Sequence, residues 1–149
     1  MISVRRRALL LASGGALAAW LAPRSRAAEM KLGKTDWKAI QRVISEQLAA
    51  LRAGEETKAF SFASPGIQNQ FGDARAFMAM VQQSYLPLLD ARYSEFLEGA
   101  VIDGVVVQPL RLIGRDNTVL VALYTMEKQK RGGWRISGCV IAPSTVQAA

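Results

Sequence analysis

The sequence predicts an α+β domain with three N-terminal helices packed on a curved, mainly antiparallel four-stranded sheet. Two observations carry this reading. Up to Leu88 the apolar residues recur at helical spacing, whereas from Tyr93 they alternate. The breakers also change, from Pro65-Gly66 between helical stretches to the Asp-Gly and Gly-Gly pairs of strand reversals.

The first helix is read in "TDWKAIQRVISEQLAALRAG", where Trp37, Ile40, Val43, Ile44, Leu48 and Leu51 fall on one face. Thr35 or Asp36 can cap its start and Gly54 can end it. "EETKAFSFA" opens with acids, as suits a helix N-terminus, and Pro65-Gly66 breaks it. Ile67 and Phe71, four apart, allow one further turn, with Gly72 suited to the position after a helix. In this corner Gln68, Asn69 and Gln70 have no evident structural role; they face water or touch a ligand. Asp73 is a good N-cap for a segment carrying Phe77, Met78, Val81, Tyr85 and Leu88, which Pro87 is expected to close.

Strands follow. Asp103-Gly104 between apolar runs is a two-residue hairpin signal. Arg115-Asp116-Asn117 and Gly132-Gly133 mark the next reversals, and Pro109 inside a strand implies an edge or a bulge. Alternation puts Val106, Gln108, Leu110 and Leu112 on one face, Leu120, Ala122, Tyr124 and Met126 on another, and Trp134, Ile136, Gly138 and Val140 on a third. Together these sets line a common interior.

Residues 1–27 read as an export signal. Arg5, Arg6 and Arg7 precede an uncharged run from Leu9 to Leu21, Pro23 breaks it, and Ser25-Arg26-Ala27 suits cleavage after Ala27. The run falls short of the roughly 20 residues of a membrane span. No stable span is therefore expected in the mature chain, although an uncleaved anchor is the competing reading. Arg6-Arg7-Ala8-Leu9-Leu10 partly matches the twin-arginine export motif, which leaves that route and general secretion both open. The expected product is periplasmic or secreted. It has a lead-in over 28–35, one domain over 36–142 and a tail over 143–149.

The net charge of +7 invites a nucleic-acid reading. Removing residues 1–27 takes away five arginines and no acid, and leaves 14 basic against 12 acidic residues. No charge-based case for nucleic acid or lipid survives. The chain has one cysteine, Cys139, so no internal disulfide; it is read as a small buried hydrophobe. It has no histidine, which excludes histidine triads and imidazole ligands.

"ISEQLAALRAGEETKAFSFASPGIQNQFGD", the Asp103-Gly104 hairpin, "ALYTMEKQKRGGWRISGC" and the closing "CVIA" together resemble a bacterial domain-of-unknown-function family, number 4864. The resemblance runs from about Asp36 to Ala142. Its most specific part is "FASPGIQ" followed by "FG"; Gly133-Trp134-Arg135-Ile136 is shared more widely. It implies a nuclear transport factor 2-like (cystatin-like) cone of bent sheet wrapped against helices, with a pocket at the open end. That superfamily includes isomerases, dehydratases, cyclases, binding modules and dimerisation modules, so the fold does not name the function. It brings no catalytic pattern to transfer.

The reading is therefore a non-catalytic domain that binds a small apolar or amphipathic ligand or acts as an accessory module. Tyr85, Gln108, Tyr124 and Trp134 are its candidate pocket residues. No catalytic residue, cofactor or metal is assigned. One alternative is an isomerase or dehydratase of the ketosteroid-isomerase type. It would draw a base from Asp90 or Asp103 and a donor from Tyr85, Tyr93 or Tyr124, with Gln108 and Glu95 as other polar residues near strand interiors. Another is a homodimer formed through the sheet. The run Lys128-Gln129-Lys130-Arg131 reads as a solvated hairpin tip.

Overall fold

The computed structural model describes residues 31–144, so the expected export signal over 1–27, with its expected cleavage after Ala27, and residues 145–149 of the expected tail lie outside the described residues. Among the described residues five helices precede the sheet: α1 (Lys34–Arg52), α2 (Glu56–Ser61), α3 (Pro65–Phe71), α4 (Ala74–Ser84) and α5 (Leu86–Asp90). Five strands follow: β1 (Tyr93–Phe96), β2 (Ala100–Ile102), β3 (Val105–Ile113), β4 (Val119–Lys128) and β5 (Trp134–Pro143). The sheet is antiparallel, in the order β1-β3-β4-β5, with β2 also pairing with β3. The fold is α+β as expected, but the described residues form five helices rather than three and five strands rather than four.

Two prolines account for the extra helices. Pro65 and Pro87 lie in the first turns of α3 and α5, where a missing N–H costs nothing. They start helices instead of ending them. Ser64 caps α3 by accepting from the Ile67 N–H at 3.4 Å. Gly72 (φ +84°) closes α3, and Asp73 accepts from the Ala76 N–H at 2.8 Å to open α4. Asp36 acts one turn inside α1, accepting from the Gly33 N–H at 3.2 Å, so Gly33 is the cap residue. That bond, helped by Lys128, holds the Asp36 carboxyl below its ordinary range.

The extra strand also has a proline behind it. Pro109 lies in β3, a central strand, and cannot donate to a neighbour. The adjoining strand breaks there: β1 pairs up to Phe96↔Leu110 and β2 resumes at Ala100↔Val107. In the gap Gln108 Nε2 donates to the carbonyls of Leu97 at 2.7 Å and Pro109 at 2.9 Å. The Trp37 ring packs over Gly99 in the same gap, where a Cβ would collide with it. The Asp103-Gly104 hairpin is as expected, with positive φ at both residues.

β5 departs from simple alternation. Thr125 pairs with Gly138 and Met126 with Ile136, which leaves Ser137 as the extra residue of a bulge. The bulge shifts the strand's phase. Trp134 and Ile136 face inward, but beyond Ser137 the inward partner of Tyr124 is Cys139, and Val140 is 63% exposed. The expected inward set Trp134, Ile136, Gly138 and Val140 is therefore corrected at its last two members. Near the bulge the helical corner joins β5: Ile136 N–H donates to the Phe62 carbonyl at 2.9 Å, and Ser64 N–H to the Ile136 carbonyl at 2.8 Å.

Two apolar cores result. One joins Ile40, Ile44, Leu48 and Leu88 to the inner faces of β3, β4 and β5. The other joins Ala50 and Leu51 of α1 to Ala59 of α2 and to Phe77, Met78 and Val81 of α4. Ile40 and Ile44 are fully buried, a contribution of roughly 1.5–3 kcal/mol each. Among the described residues no helix is long and apolar enough to cross a membrane.

Candidate functional site

The two cores meet without filling the space between them. A cavity of about 530 Å³ lies there. Leu51, Phe77 and Val81 come from one core, and Leu88, Tyr124 and Ile136 from the other. The walls are the C-terminal half of α1, the facing sides of α3 and α4, and the bulged part of β5. Gln70, Ser84 and Val140, which also line it, are exposed and mark the rim.

Helical spacing presents Phe77 and Val81, one turn apart on α4, to the cavity. Phe77 is held by tilted contact with Phe60 (5.4 Å between centroids) and edge contact with Phe71 (5.8 Å). The corner that carries Phe71 is itself fixed. Gln68 Nε2 donates to the Phe60 carbonyl at 3.1 Å and the Ala63 carbonyl at 3.2 Å, so Gln68 does not simply face water. Asn69 is exposed, and Gln70 reaches the rim.

Tyr85 and Tyr124 are brought together at the cavity; Gln108 and Trp134 are not among its lining residues. Tyr85 Oη donates to the Cys139 carbonyl at 2.8 Å, tying the α4–α5 junction to β5. Burial, and then the neighbouring Cys139, raise its phenol above the ordinary 10.0. Tyr124 is 1% exposed, and its Oη is buried without a hydrogen-bond partner. Its cross-strand neighbour Cys139 interacts with it, but a thiol is a weak partner and no bond of normal geometry forms. Burial pushes the Tyr124 phenol well above 10.0 and the Cys139 thiol up to about 12. Cys139 is half-buried and lines the cavity beside Ser137 and Gly138.

Gln108 is spent within the sheet, as described. Trp134 is buried near the other end of β5 with Lys128 Nζ 5.7 Å from its ring centroid, and Lys128 also reaches Asp36 at 3.4 Å. The other candidate polar groups lie elsewhere. Asp90 and Asp103 are exposed. Glu95 pairs with Arg111 across the strands and accepts from Tyr93 Oη at 3.0 Å. None of the described residues lining the cavity is charged. Among the described residues no group of three or more Cys, Asp or Glu side chains could hold a metal ion.

Sequence reasoning did not single out Met80, Val81, Ser137 or Cys139 as lining residues. Val81 was legible as one turn from Phe77 on an inward helix face. Cys139 was hidden by the bulge, which reverses the parity that alternation assigns to it. The family model described as a domain of unknown function (DUF4864) matches residues 33–149. No curated protein and no solved structure matches the chain.

Proposed function

The chain belongs to the DUF4864 family, a domain of unknown function, and from that premise we propose that it is an exported, non-catalytic domain that binds a small apolar or amphipathic ligand in the cavity between its two cores. The observation that carries this is an uncharged cavity of about 530 Å³, walled by aromatic and aliphatic side chains with few polar groups. Its volume is within the range of roughly 300–1,000 Å³ for small-molecule sites. A nuclear transport factor 2-like cone is part of the same reading, supported by a long helix packed on the inner face of an antiparallel sheet. Export rests on residues 1–27, and protein recovered from the periplasm should begin at Ala28.

The isomerase alternative needs a carboxylate in the cavity. Asp90 and Asp103 are exposed and neither lines it, so binding is preferred. The test is titration with N-phenyl-1-naphthylamine, a neutral dye that brightens in apolar sites. Saturable binding is expected, and Val81→Trp, which puts an indole into the cavity, should weaken it. Unweakened binding in a folded Val81→Trp variant would place the dye elsewhere and defeat the reading.

A second reading concerns the outer sheet face. Leu123 and Val140 are cross-strand neighbours there, 37% and 63% exposed, in a sheet that also exposes Ile102 and Val105. A second copy of the chain is the proposed occupant, since a two-fold axis sets one such patch against itself. Sedimentation should show a dimer that Leu123→Lys with Val140→Lys converts to monomer. A wild-type monomer at high concentration would remove this reading.

A further inference from the structure

We propose that the bound molecule is a neutral amphiphile whose polar head carries a hydrogen-bond donor, an alcohol in the simplest case, and that this head donates to Gln47 Oε1 inside the cavity. This deepens the binding reading above and rests on it. Gln47 lies one helical turn before Leu51 on α1, and both residues line the cavity. Gln47 is 4% exposed. Its amide has a fixed direction. Nε2 donates to the Ala59 carbonyl at 3.2 Å. A carbonyl only accepts, so the nitrogen must face Ala59 and the oxygen must lie on the other side of the amide.

Gln47 Oε1 accepts no hydrogen bond from any described residue. It differs from Tyr124 Oη in its access. Among the described residues, the unpartnered side-chain atoms that are sealed off are Arg111 Nε and Tyr124 Oη. Gln47 Oε1 is unpartnered but not sealed, and the residue that carries it is otherwise buried, so the cavity is its opening. An amide oxygen left without a donor in a buried site costs free energy. A hydroxyl on the ligand supplies the donor and recovers that cost on binding; an ether oxygen cannot. No charged residue lines the cavity among those described, so an ionised head would have no counter-ion. A carboxylate would also set its oxygens against Oε1 with no proton between them.

The experiment displaces N-phenyl-1-naphthylamine from the full chain with 1-octanol, heptyl methyl ether and octanoate. The alcohol and the ether are isomers; both oxygens accept, and only the alcohol donates. In the wild type octanoate should bind most weakly of the three. Gln47→Met keeps the length of the side chain and removes the amide. It should lower the affinity of octanol relative to the ether about tenfold, while the dye still binds. Comparing that ratio between the two proteins cancels the different costs of taking the isomers out of water. A second readout needs no variant. In the isotope-labelled wild type, the Gln47 side-chain carbonyl resonance should move downfield with octanol and not with the ether. Should Gln47→Met fail to fold, this resonance decides alone. A ratio unchanged in folded Gln47→Met, a carbonyl resonance that answers both isomers alike, or octanoate binding as tightly as octanol would each overturn the inference and leave the cavity reading standing. No binding by the dye or any of the three would overturn the cavity reading itself, and this inference with it.

Discussion

Gln108 and Tyr124 are cross-strand neighbours on the inner face of β3 and β4, one fully buried and the other 1% exposed, yet their surroundings are opposite. Gln108 donates to two carbonyls, and its own oxygen accepts from Gln41 Nε2 at 3.3 Å. Beside it Trp37 closes over Gly99. Tyr124 Oη forms no hydrogen bond of normal geometry and has only the weak Cys139 thiol as a neighbour, and the residue borders the cavity. On one side of this pair the polar group completes a break made by proline, so it serves the fold. On the other the fold buries a hydroxyl without giving it a hydrogen bond of normal geometry. Burial of a polar residue does not distinguish the two roles; the fate of its hydrogen bonds does.

The contrast can be broken at several points. The largest effect should be at Cys139, on the cavity side. With its thiol pushed up to about 12, alkylation by iodoacetamide at pH 8 should be on the order of a thousandfold slower than in the urea-unfolded chain. A folded-state rate within tenfold of the unfolded one would mean that the thiol is in open solvent. The linked stability has a definite sign. Cys139 is raised in the folded state, so its contribution is fully present below the ordinary 9.0 and is lost as pH rises towards about 12. The melting temperature should fall across that window.

Next comes Gln108→Ala, which strips donors from the Leu97 and Pro109 carbonyls and leaves a void. Urea denaturation should show a loss of about 3 kcal/mol. Gly99→Ala forces a Cβ into the Trp37 ring and should cost about 2 kcal/mol. The smallest effect should be at Tyr124→Phe, within about 1 kcal/mol of wild type, because the hydroxyl it removes is unpaired. If Tyr124→Phe proved as damaging as Gln108→Ala, the hydroxyl would be structural and the contrast would collapse.

Much of the helical half was legible because its signals are local. The spacing of Ile40, Ile44, Leu48 and Leu51, the Asp73 cap and Gly72 act within a turn or two. Pro65 and Pro87 misled because proline breaks a helix interior but is at home in a first turn, and the two cases differ only by where the preceding helix stops. In the sheet, β3 and β4 followed their alternation. β5 did not, because the bulge at Ser137 depends on its pairing with β4 rather than on its own residues. For the same reason Gln108 looked like a pocket residue: its partners are the Leu97 carbonyl in the neighbouring strand's gap and the Pro109 carbonyl beside it. The cavity arises where two cores fail to merge, which no single segment encodes.

The stitch between the helical corner and β5 has a consequence outside binding. β5 ends the sheet, and a strand there offers unpaired backbone groups to any extended chain it meets. The bonds from Ile136 to Phe62 and from Ser64 to Ile136 occupy part of that margin with the protein's own backbone. The corner thus works as a guard against aggregation. Prying Phe62–Ser64 away would leave the Ile136 N–H and carbonyl unpaired at the margin of the sheet.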